Sequence, residues 1–159
     1  MSNTISVIIP VYNEKESLEE LYSEIRAATG SFSRREVLFI DDGSTDGTTE
    51  LLQTMAEEYL EVTLIQFYRN YGKAAAIAEG FNHSTGDYIV TMDADLQDDP
   101  SEINNLVEKL DEGYDLVSGW KKTRRDPLTK RWPSKFFNFV TRLMTGVKIH
   151  DFNCGLKIY

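Results

Sequence analysis

The stretch 89-IVTMDADLQDDP-100 joins an apolar segment directly to a cluster of acidic residues. Residues 88–92 are mostly apolar, which predicts a buried β-strand. The next eight positions hold four carboxylates, namely Asp93, Asp95, Asp98 and Asp99. Carboxylates this close repel one another, and burial at a strand end would raise their pKa values further. A positively charged group is therefore expected where this strand ends.

Strand-like and helix-like segments alternate along the chain around this stretch. The predicted strands are residues 4–10, 36–40, 62–67, 88–92 and 114–119. The segments between them have apolar residues at a spacing of three and four, and Pro100 is suited to the first turn of a helix. Such alternation predicts an α/β fold with three layers, α/β/α, around a mostly parallel sheet. Ser44 or Thr45 is expected to cap the helix after the second strand.

Polar loops follow four of the five predicted strands. They are residues 10–14, 41–44, 93–95 and 119–122. In parallel sheets of this kind, ligands bind beyond the carboxyl ends of the strands, so these loops should converge on one site. Asp41 and Asp42 should point to opposite faces, so that one meets a ribose or a base and the other braces its loop.

The segment 93-DADLQ-97 has the residue types of a divalent-cation site. In an extended segment alternate side chains point the same way, so Asp93, Asp95 and Gln97 are expected to face one point. Carboxylate and amide oxygens suit Mg²⁺ or Mn²⁺, with substrate phosphates completing the coordination. The competing interpretation, an acidic turn that caps the next helix, applies best to Asp98 and Asp99.

Length and composition indicate one domain over residues 1–159. The chain has one cysteine, Cys154, which we interpret as a small buried apolar residue. No apolar run reaches the roughly 18 residues that span a bilayer. No signal peptide precedes the first strand. Residues 155–159 look like the beginning of a strand, so we expect the chain to be truncated before membrane-associated segments.

Charge is divided unevenly within the net −9. Residues 1–118 contain 7 Lys/Arg and 24 Asp/Glu, a balance of −17, whereas residues 119–148 contain 9 and one, a balance of +8. An acidic body with a local basic segment argues against general nucleic-acid binding. It favours one confined site for a negatively charged partner.

Five motifs follow one another along the chain, namely PVYNE (10–14), DDGSTDGT (41–48), NYGKAAAIAEGF (70–81), MDADLQDDP (92–100) and SGWKKTRRD (118–126). Together they resemble the motifs of family 2 glycosyltransferases with the Rossmann-like GT-A fold. Residues 130–143 and 150–159 resemble the polyprenyl-phosphate branch of that family, similar to dolichol-phosphate mannose synthases. The resemblance covers essentially the whole chain, and the order and spacing of the motifs make it specific.

The resemblance implies roles for individual residues. It places nucleotide contacts at Pro10, Tyr12, Glu14, Ile40 and Asp42, and the donor diphosphate and metal at Asp93, Ala94, Asp95 and Gln97. Lys73, at a predicted helix start, is expected to contact phosphate or sugar. Lys121 is expected to act at the donor. The acceptor phosphate is expected at Arg131 and Ser134, with Lys130 competing for the arginine's role. The catalytic residues would be Asp93, Asp95, Lys121 and Arg131.

These features predict a metal-dependent inverting enzyme that moves a sugar from a UDP- or GDP-sugar to a polyprenyl phosphate, such as undecaprenyl or dolichyl phosphate. A phosphate acceptor is already ionised near neutral pH, so no general base is required. Asp151 is a candidate base but is better suited to bracing the acceptor loop. Residues 132–144 form a basic, aromatic amphipathic segment that either lies in the membrane surface or packs on the sheet. We expect the protein to act at the cytoplasmic face of the membrane. A homo-oligomer is compatible with this location.

Two other functions stay open. A related enzyme could glycosylate a hydroxyl on a polysaccharide or lipid, although the Gln-x-x-Arg-Trp segment that would favour it is missing from the sequence. Alternatively, a truncated domain could bind a nucleotide sugar without turnover. The sequence does not identify the sugar, the base, or the choice between Mg²⁺ and Mn²⁺.

Overall fold

The computed structural model describes residues 3–119 and 154–159 of the chain. Strands and helices alternate as predicted. In order, the elements are β1 (Thr4–Val11), α1 (Leu18–Ala28), β2 (Arg34–Asp41), α2 (Thr48–Glu58), β3 (Val62–Gln66), α3 (Lys73–His83), β4 (Tyr88–Thr91), a 3₁₀ turn (Pro100–Glu102), α4 (Ile103–Leu110), β5 (Val117–Ser118) and β6 (Lys157–Ile158).

Six strands form one sheet in the order β3-β2-β1-β4-β6-β5. The first four neighbours are parallel to one another, as β-α-β connections require. β6 is antiparallel to both β4 and β5, so β5 runs in the same direction as β4. The prediction of an α/β fold with a mostly parallel sheet is therefore confirmed.

Apolar side chains cover both faces of the sheet, since helices pack on each side. On one face, Val7, Ile9 and Phe39 pack in a cluster with apolar residues of α1, α2 and α4. On the other face, Ile8, Leu38 and Ile40 pack with Ala76 of α3.

The approach of α3 to the sheet depends on small residues. A Cβ at Gly80 would lie 2.3 Å from Cγ2 of Ile8, which is far inside van der Waals contact. A larger residue would push α3 away from the sheet and displace its first turn. Because Lys73 lies in that turn, this packing sets its height above the sheet edge.

Two local predictions are wrong. Neither Ser44 nor Thr45 caps α2, because the helix begins later, at Thr48, and the Asp46 carboxylate accepts from the Thr48 N–H at 3.0 Å. The fifth strand is shorter than residues 114–119, because Val117 and Ser118 pair with just the two residues of β6. Among the residues that the structure describes, no helix has both the length and the apolar character needed to cross a membrane.

Candidate active site

A cleft of about 370 Å³ lies at the carboxyl ends of β1, β2 and β4. This is the edge where the sequence predicts that the polar loops converge. The lining residues are Pro10, Val11, Tyr12, Glu14, Asp42, Asn70, Gly72, Lys73, Asp93, Ala94 and Asp95. The loops after β1, β2, β3 and β4 therefore form a single concave surface, and the loop after β5 continues into residues outside the described part.

Hydrogen bonds join the loop after β1 to the loop after β2. The Asn13 N–H donates to the Ser44 hydroxyl at 3.0 Å, and the Thr45 N–H donates to the Asn13 side-chain oxygen at 2.8 Å. Asn13 has a positive φ of 56°, a conformation that asparagine tolerates better than most residues. This turn leaves Tyr12 at the cleft with 47% of its surface exposed, so its ring is available to a ligand.

Asp41 braces the loop after β2 from inside the protein. Its side chain is fully buried and accepts hydrogen bonds from the Ser44 N–H at 3.0 Å and from the Thr49 hydroxyl. Both carboxylate oxygens are engaged with the loop and the start of α2. Asp41 is thus the bracing member of the aspartate pair, one of the two roles that the sequence predicts.

Asp42 lines the cleft, but its carboxylate is also engaged. Its two oxygens accept from the N–H groups of Tyr71 at 2.6 Å and Gly72 at 2.8 Å. The adjacent Gly43 has a φ of +77°, and a Cβ there would lie 2.7 Å from the Arg69 carbonyl carbon. The loop after β3 is therefore clamped against the loop after β2, with the Arg69 guanidinium 5.1 Å from the Tyr71 ring centre.

The acidic segment after β4 does not follow the predicted extended path. Residues 94–96 form a bend, and Leu96 has a positive φ of 57°. The Asp95 carboxylate accepts from the Gln97 N–H at 3.1 Å, which stabilises the turn. Asp93 and Asp95 line the cleft, whereas Gln97, after the bend, is exposed and lies outside the lining. The prediction that these three side chains share one direction in an extended segment is wrong.

Asp98 and Asp99 have separate structural roles. Asp99 accepts from the Ser101 N–H at 2.9 Å, as predicted for a cap at the helix start. Asp98 is buried and accepts from the backbone N–H of Asp93 at 3.2 Å, so it holds the beginning of the acidic segment in place. The spacing of five residues between donor and acceptor could not be predicted without knowing where the chain bends.

A lysine supplies positive charge at the end of β4. The ammonium group of Lys73 donates to Oδ1 of Asp93, from the first turn of α3 across the cleft. Lys73 thus supplies part of the positive charge that the sequence predicts at the end of this strand. The carboxylates of the cleft also affect Glu14. Burial, followed by the nearby Asp95, Asp46 and Asp93 carboxylates, raises the pKa of Glu14.

The residues implied by the family resemblance are distributed as follows. Pro10, Tyr12, Glu14, Asp42, Lys73, Asp93, Ala94 and Asp95 line the cleft. Ile40 is fully buried in the core beside α3. Lys121, Lys130, Arg131 and Ser134 lie outside the described residues, as do Asp151 and the segment 132–144. Val11, Asn70 and Gly72 line the cleft without having been assigned roles from the sequence.

The carboxylates of the cleft fit a divalent cation that also binds substrate. No cluster of three or more metal-ligating side chains occurs within residues 3–119 and 154–159. Within the described residues, Asp93 and Asp95 offer carboxylate oxygens at the cleft that such an ion could use. Mg²⁺ and Mn²⁺ sites of nucleotide enzymes use one or two carboxylates and fill the remaining positions with phosphate and water. The pKa of Glu14 is raised first by burial and then by the Asp95, Asp46 and Asp93 carboxylates, and a cation beside these carboxylates would offset their part.

Comparisons with known proteins agree with the fold and identify relatives of the chain. Undecaprenyl-phosphate 4-deoxy-4-formamido-L-arabinose transferases from Pseudomonas paraeruginosa and Klebsiella pneumoniae are 46% and 45% identical over 98% of this chain. The matches cover 46% and 48% of those proteins, so the chain spans about half the length of the curated relatives it matches. The predicted resemblance to the polyprenyl-phosphate branch is therefore confirmed.

Solved structures show the same architecture. A mannosyltransferase from Pyrobaculum calidifontis in complex with GDP-Man and Mn²⁺ matches with a TM-score of 0.66 and 26% identity, covering 98% of this chain and 44% of that one. Glucosyl-3-phosphoglycerate synthase from Mycobacterium tuberculosis matches with a TM-score of 0.73 at 22% identity, over 98% of this chain and 56% of that one, which supports the fold alone. Both likenesses agree with the predicted GT-A fold.

The family model described as glycosyl transferase family 2 matches residues 6–159, which is nearly the entire sequence. The motifs at 10–14, 41–48, 70–81 and 92–100 each contribute residues to the cleft. The chain therefore belongs to glycosyltransferase family 2.

Proposed function

We propose that this chain is the catalytic domain of a metal-dependent inverting glycosyltransferase, with a nucleotide-diphosphate sugar as donor and a polyprenyl phosphate as acceptor. The observation that carries the proposal is the cleft in which Asp93, Asp95 and Lys73 meet beside Tyr12 and Asp42. It combines an aromatic surface, hard metal ligands and a cation in one concave site. The undecaprenyl-phosphate transferases among its relatives support the choice of acceptor.

The donor nucleotide would lie across the loops after β1, β2 and β3. The exposed ring of Tyr12 offers a stacking surface for the base, and Pro10 and Glu14 flank it. Because both oxygens of Asp42 accept from backbone N–H groups, its contact with the nucleotide would require sharing one of these oxygens. Ile40 is buried, so its contribution would come from the backbone or from support of the loop.

The diphosphate would lie toward the end of β4. Asp93 and Asp95 would hold Mg²⁺ or Mn²⁺ there, and Gln97 would join them after a rotation of the exposed turn. When bound, the metal ion neutralises negative charge that develops on the leaving diphosphate. Lys73 reaches the same position from α3 and would transfer its contact from Asp93 to a phosphate oxygen. These contacts would orient the leaving group.

The reaction would proceed by direct displacement at the anomeric carbon. An oxygen of the acceptor phosphate forms the new bond to that carbon, while the bond to the nucleoside diphosphate breaks and its electrons remain on the departing oxygen. An ionised phosphate brings its own lone pair, since its second pKa is about 6, so no proton has to be removed. Positioning and cationic charge are therefore the main requirements.

Acceptor binding is proposed for the basic segment, residues 119–148, with its balance of +8. Arg131 and Ser134, with Lys130, would hold the acceptor phosphate, and Lys121 would complete the donor side. The aromatic residues of 132–144 would contact the isoprenoid and the lipid surface at the cytoplasmic face of the membrane. Basic residues near an anionic surface contribute about 1 kcal/mol each, so attachment should weaken at high salt.

A donor and acceptor panel tests the proposal. The purified chain would be assayed with UDP- and GDP-linked sugars, including activated 4-deoxy-4-formamido-L-arabinose, and with undecaprenyl phosphate, dolichyl phosphate or a hydroxyl acceptor in the presence of Mn²⁺ or Mg²⁺. Transfer to a lipid phosphate is the expected result. Transfer to the hydroxyl acceptor alone, or nucleotide-sugar binding without any transfer, would contradict it.

Arg131→Ala separates the two substrates. It should raise the acceptor KM or lower kcat while leaving donor affinity nearly unchanged, because the guanidinium is assigned to the acceptor phosphate. Arg124→Ala, in the same basic segment, removes an equal charge as the matched control. A loss of donor affinity with normal acceptor kinetics would reverse the roles assigned to the cleft and the basic segment.

A further inference from the structure

Asp93 is in close contact with a residue that lies 62 positions later in the chain, Gly155. A Cβ built on Gly155 would lie 2.6 Å from both Cγ and Oδ2 of Asp93, and 2.7 Å from Oδ1. Contacts this short do not occur in proteins. The Asp93 carboxylate therefore occupies the space that any side chain at residue 155 would need.

The segment that carries Gly155 is firmly anchored. The buried Thr91 hydroxyl donates to the Gly155 carbonyl at 3.0 Å, and β6 pairs with β4 immediately afterwards. The neighbours Cys154 and Leu156 are 2% and 4% exposed and belong to the main core. Because the backbone is fixed on both sides of Gly155, an added methyl group would displace the carboxylate rather than the strand.

We propose that Gly155 is a positioning residue that sets the orientation of the Asp93 carboxylate in the cleft. On this view the carboxylate is held between the bare backbone of residue 155 and the ammonium of Lys73. Residues 154–156, just before β6, would thus support the donor site from behind Asp93, although they are not among the residues that line the cleft. The functional consequence rests on the proposed role of Asp93 as a metal ligand, whereas the packing itself does not.

A double-mutant cycle on stability tests the packing. Gly155→Ala should lower the thermal midpoint by roughly 5 °C, the effect of overpacking a rigid site. In an Asp93→Ala background the obstructing carboxylate is gone, so the same change should have less than half that effect. Equal losses in both backgrounds would overturn the proposal. If Gly155→Ala does not fold, folding of the Asp93→Ala/Gly155→Ala double variant supports it, and failure of that variant overturns it.

A binding measurement tests the consequence for the site. Mn²⁺ affinity in the presence of UDP or GDP would be followed by electron paramagnetic resonance. Gly155→Ala should raise the Kd for Mn²⁺ by about tenfold, the size of effect that misplacing a metal ligand produces. Leu156→Ala is the matched control, because it creates a cavity in the core next to Gly155 and leaves residue 155 itself unchanged.

The control variant should bind Mn²⁺ within about twofold of the parent, since its ligands are in place. If Mn²⁺ binding were weakened equally in Gly155→Ala and Leu156→Ala, Gly155 would have no specific effect on the metal site and the proposal would be overturned. If the parent chain itself binds no Mn²⁺ with either nucleotide, the metal-dependent function fails. The stability cycle still decides whether Gly155 positions Asp93, so the two failures can be distinguished.

Discussion

The two edges of the sheet differ in whether their polar groups line a cleft. At the amino ends of β1, β2 and β4, the buried Ser6 hydroxyl donates to Glu36 at 2.6 Å and accepts from the Gly86 N–H at 2.8 Å. Nearby, Asp87 accepts two hydrogen bonds from Thr4, and the backbone one is the main reason that its pKa is lowered. Polar groups at this edge are satisfied by neighbours in the fold.

The carboxyl edge contains the cleft, and there the charges oppose one another. Burial, followed by Asp95, Asp46 and Asp93, raises the pKa of Glu14. The pKa of Asp87 is lowered by hydrogen bonds from Thr4, whereas Glu14, which lines the cleft, has its pKa raised by burial and by three nearby carboxylates. Substitutions at the carboxyl edge should therefore change binding and activity, and those at the amino edge should change stability.

The largest expected effect is on activity, at Asp95. Asp95→Asn should lower the rate of sugar transfer by at least about a hundredfold, because an amide cannot replace the charge of a carboxylate toward a metal-bound diphosphate. The thermal midpoint should stay close to that of the parent chain, since Asp95 is exposed. Initial rates with radiolabelled donor and circular dichroism melting measure the two quantities.

Asp99→Asn is the matched control for Asp95→Asn. Asp99 lies four residues away and caps the following 3₁₀ turn through the Ser101 N–H, a role that asparagine fills equally well. Its transfer rate should therefore be nearly unchanged. A normal rate in Asp95→Asn, or an equal loss in both variants, would remove Asp95 from the catalytic site.

Regular elements could be predicted from the sequence because apolar periodicity reports burial locally. The strand at residues 4–10 and the helix at 73–81 needed no tertiary information. The bend after Asp93 was not predicted, because it depends on a positive φ at Leu96 and on contacts made by Asp98. Alternate side chains point the same way in an extended segment alone, and no residue within 93-DADLQ-97 predicts the bend.

Contacts between site residues that are distant in the sequence could not be predicted from the sequence either. That Asp42 clamps Tyr71 and Gly72, or that Gly155 touches Asp93, depends on how separate loops meet across the sheet. Family motifs nevertheless identified most of the cleft, since their residues share the carboxyl edge.

Ser6→Ala should have the second largest effect, and on stability. Removing the buried hydroxyl takes away the acceptor of the Gly86 N–H, and an unsatisfied buried donor costs about 1–3 kcal/mol. Urea unfolding would measure this loss. Ser33→Ala, which removes an exposed hydroxyl that donates to the Asn3 carbonyl, is the control and should cost less than about 0.5 kcal/mol.

Nucleotide-sugar affinity of Ser6→Ala should match the parent, because Ser6 lies at the edge of the sheet away from the cleft. Calorimetric titration with the donor would compare the two. A donor affinity that fell along with stability would mean that the edges are not independent, and the comparison between them would fail.

Glu14→Gln should have a smaller effect of opposite sign, raising stability at neutral pH. The pKa of Glu14 in the fold lies above 4.5, so its ionised form is held less favourably than in the unfolded chain. The penalty is absent below pH 4.5 and is complete above the folded pKa, so glutamine should raise the thermal midpoint at pH 7 by roughly 1–3 °C. Near pH 4 the two midpoints should converge.

Exposed Glu16 provides the control for Glu14, since Glu16→Gln removes the same charge outside the cleft. Its midpoint should follow the parent across this pH range. A midpoint of Glu14→Gln that lies below the parent at pH 7 would show that Glu14 stabilises the empty cleft, against the interpretation of the carboxyl edge.

Asp87→Asn should have the smallest effect and the opposite pH dependence to Glu14→Gln. The folded pKa of Asp87 lies below 3.8, mainly through the hydrogen bond from the Thr4 N–H, so its contribution is present above that pH and is lost as the pH falls. The variant should melt at most a few degrees lower at pH 7, and the difference should vanish toward pH 3, because Asp87 is exposed and its bonds are partly replaced by water. Asp115→Asn, another exposed aspartate, is the control. Thermal melts from pH 3 to 7 would decide, and a higher midpoint for Asp87→Asn at pH 7 would contradict the assignment of the amino edge to stability.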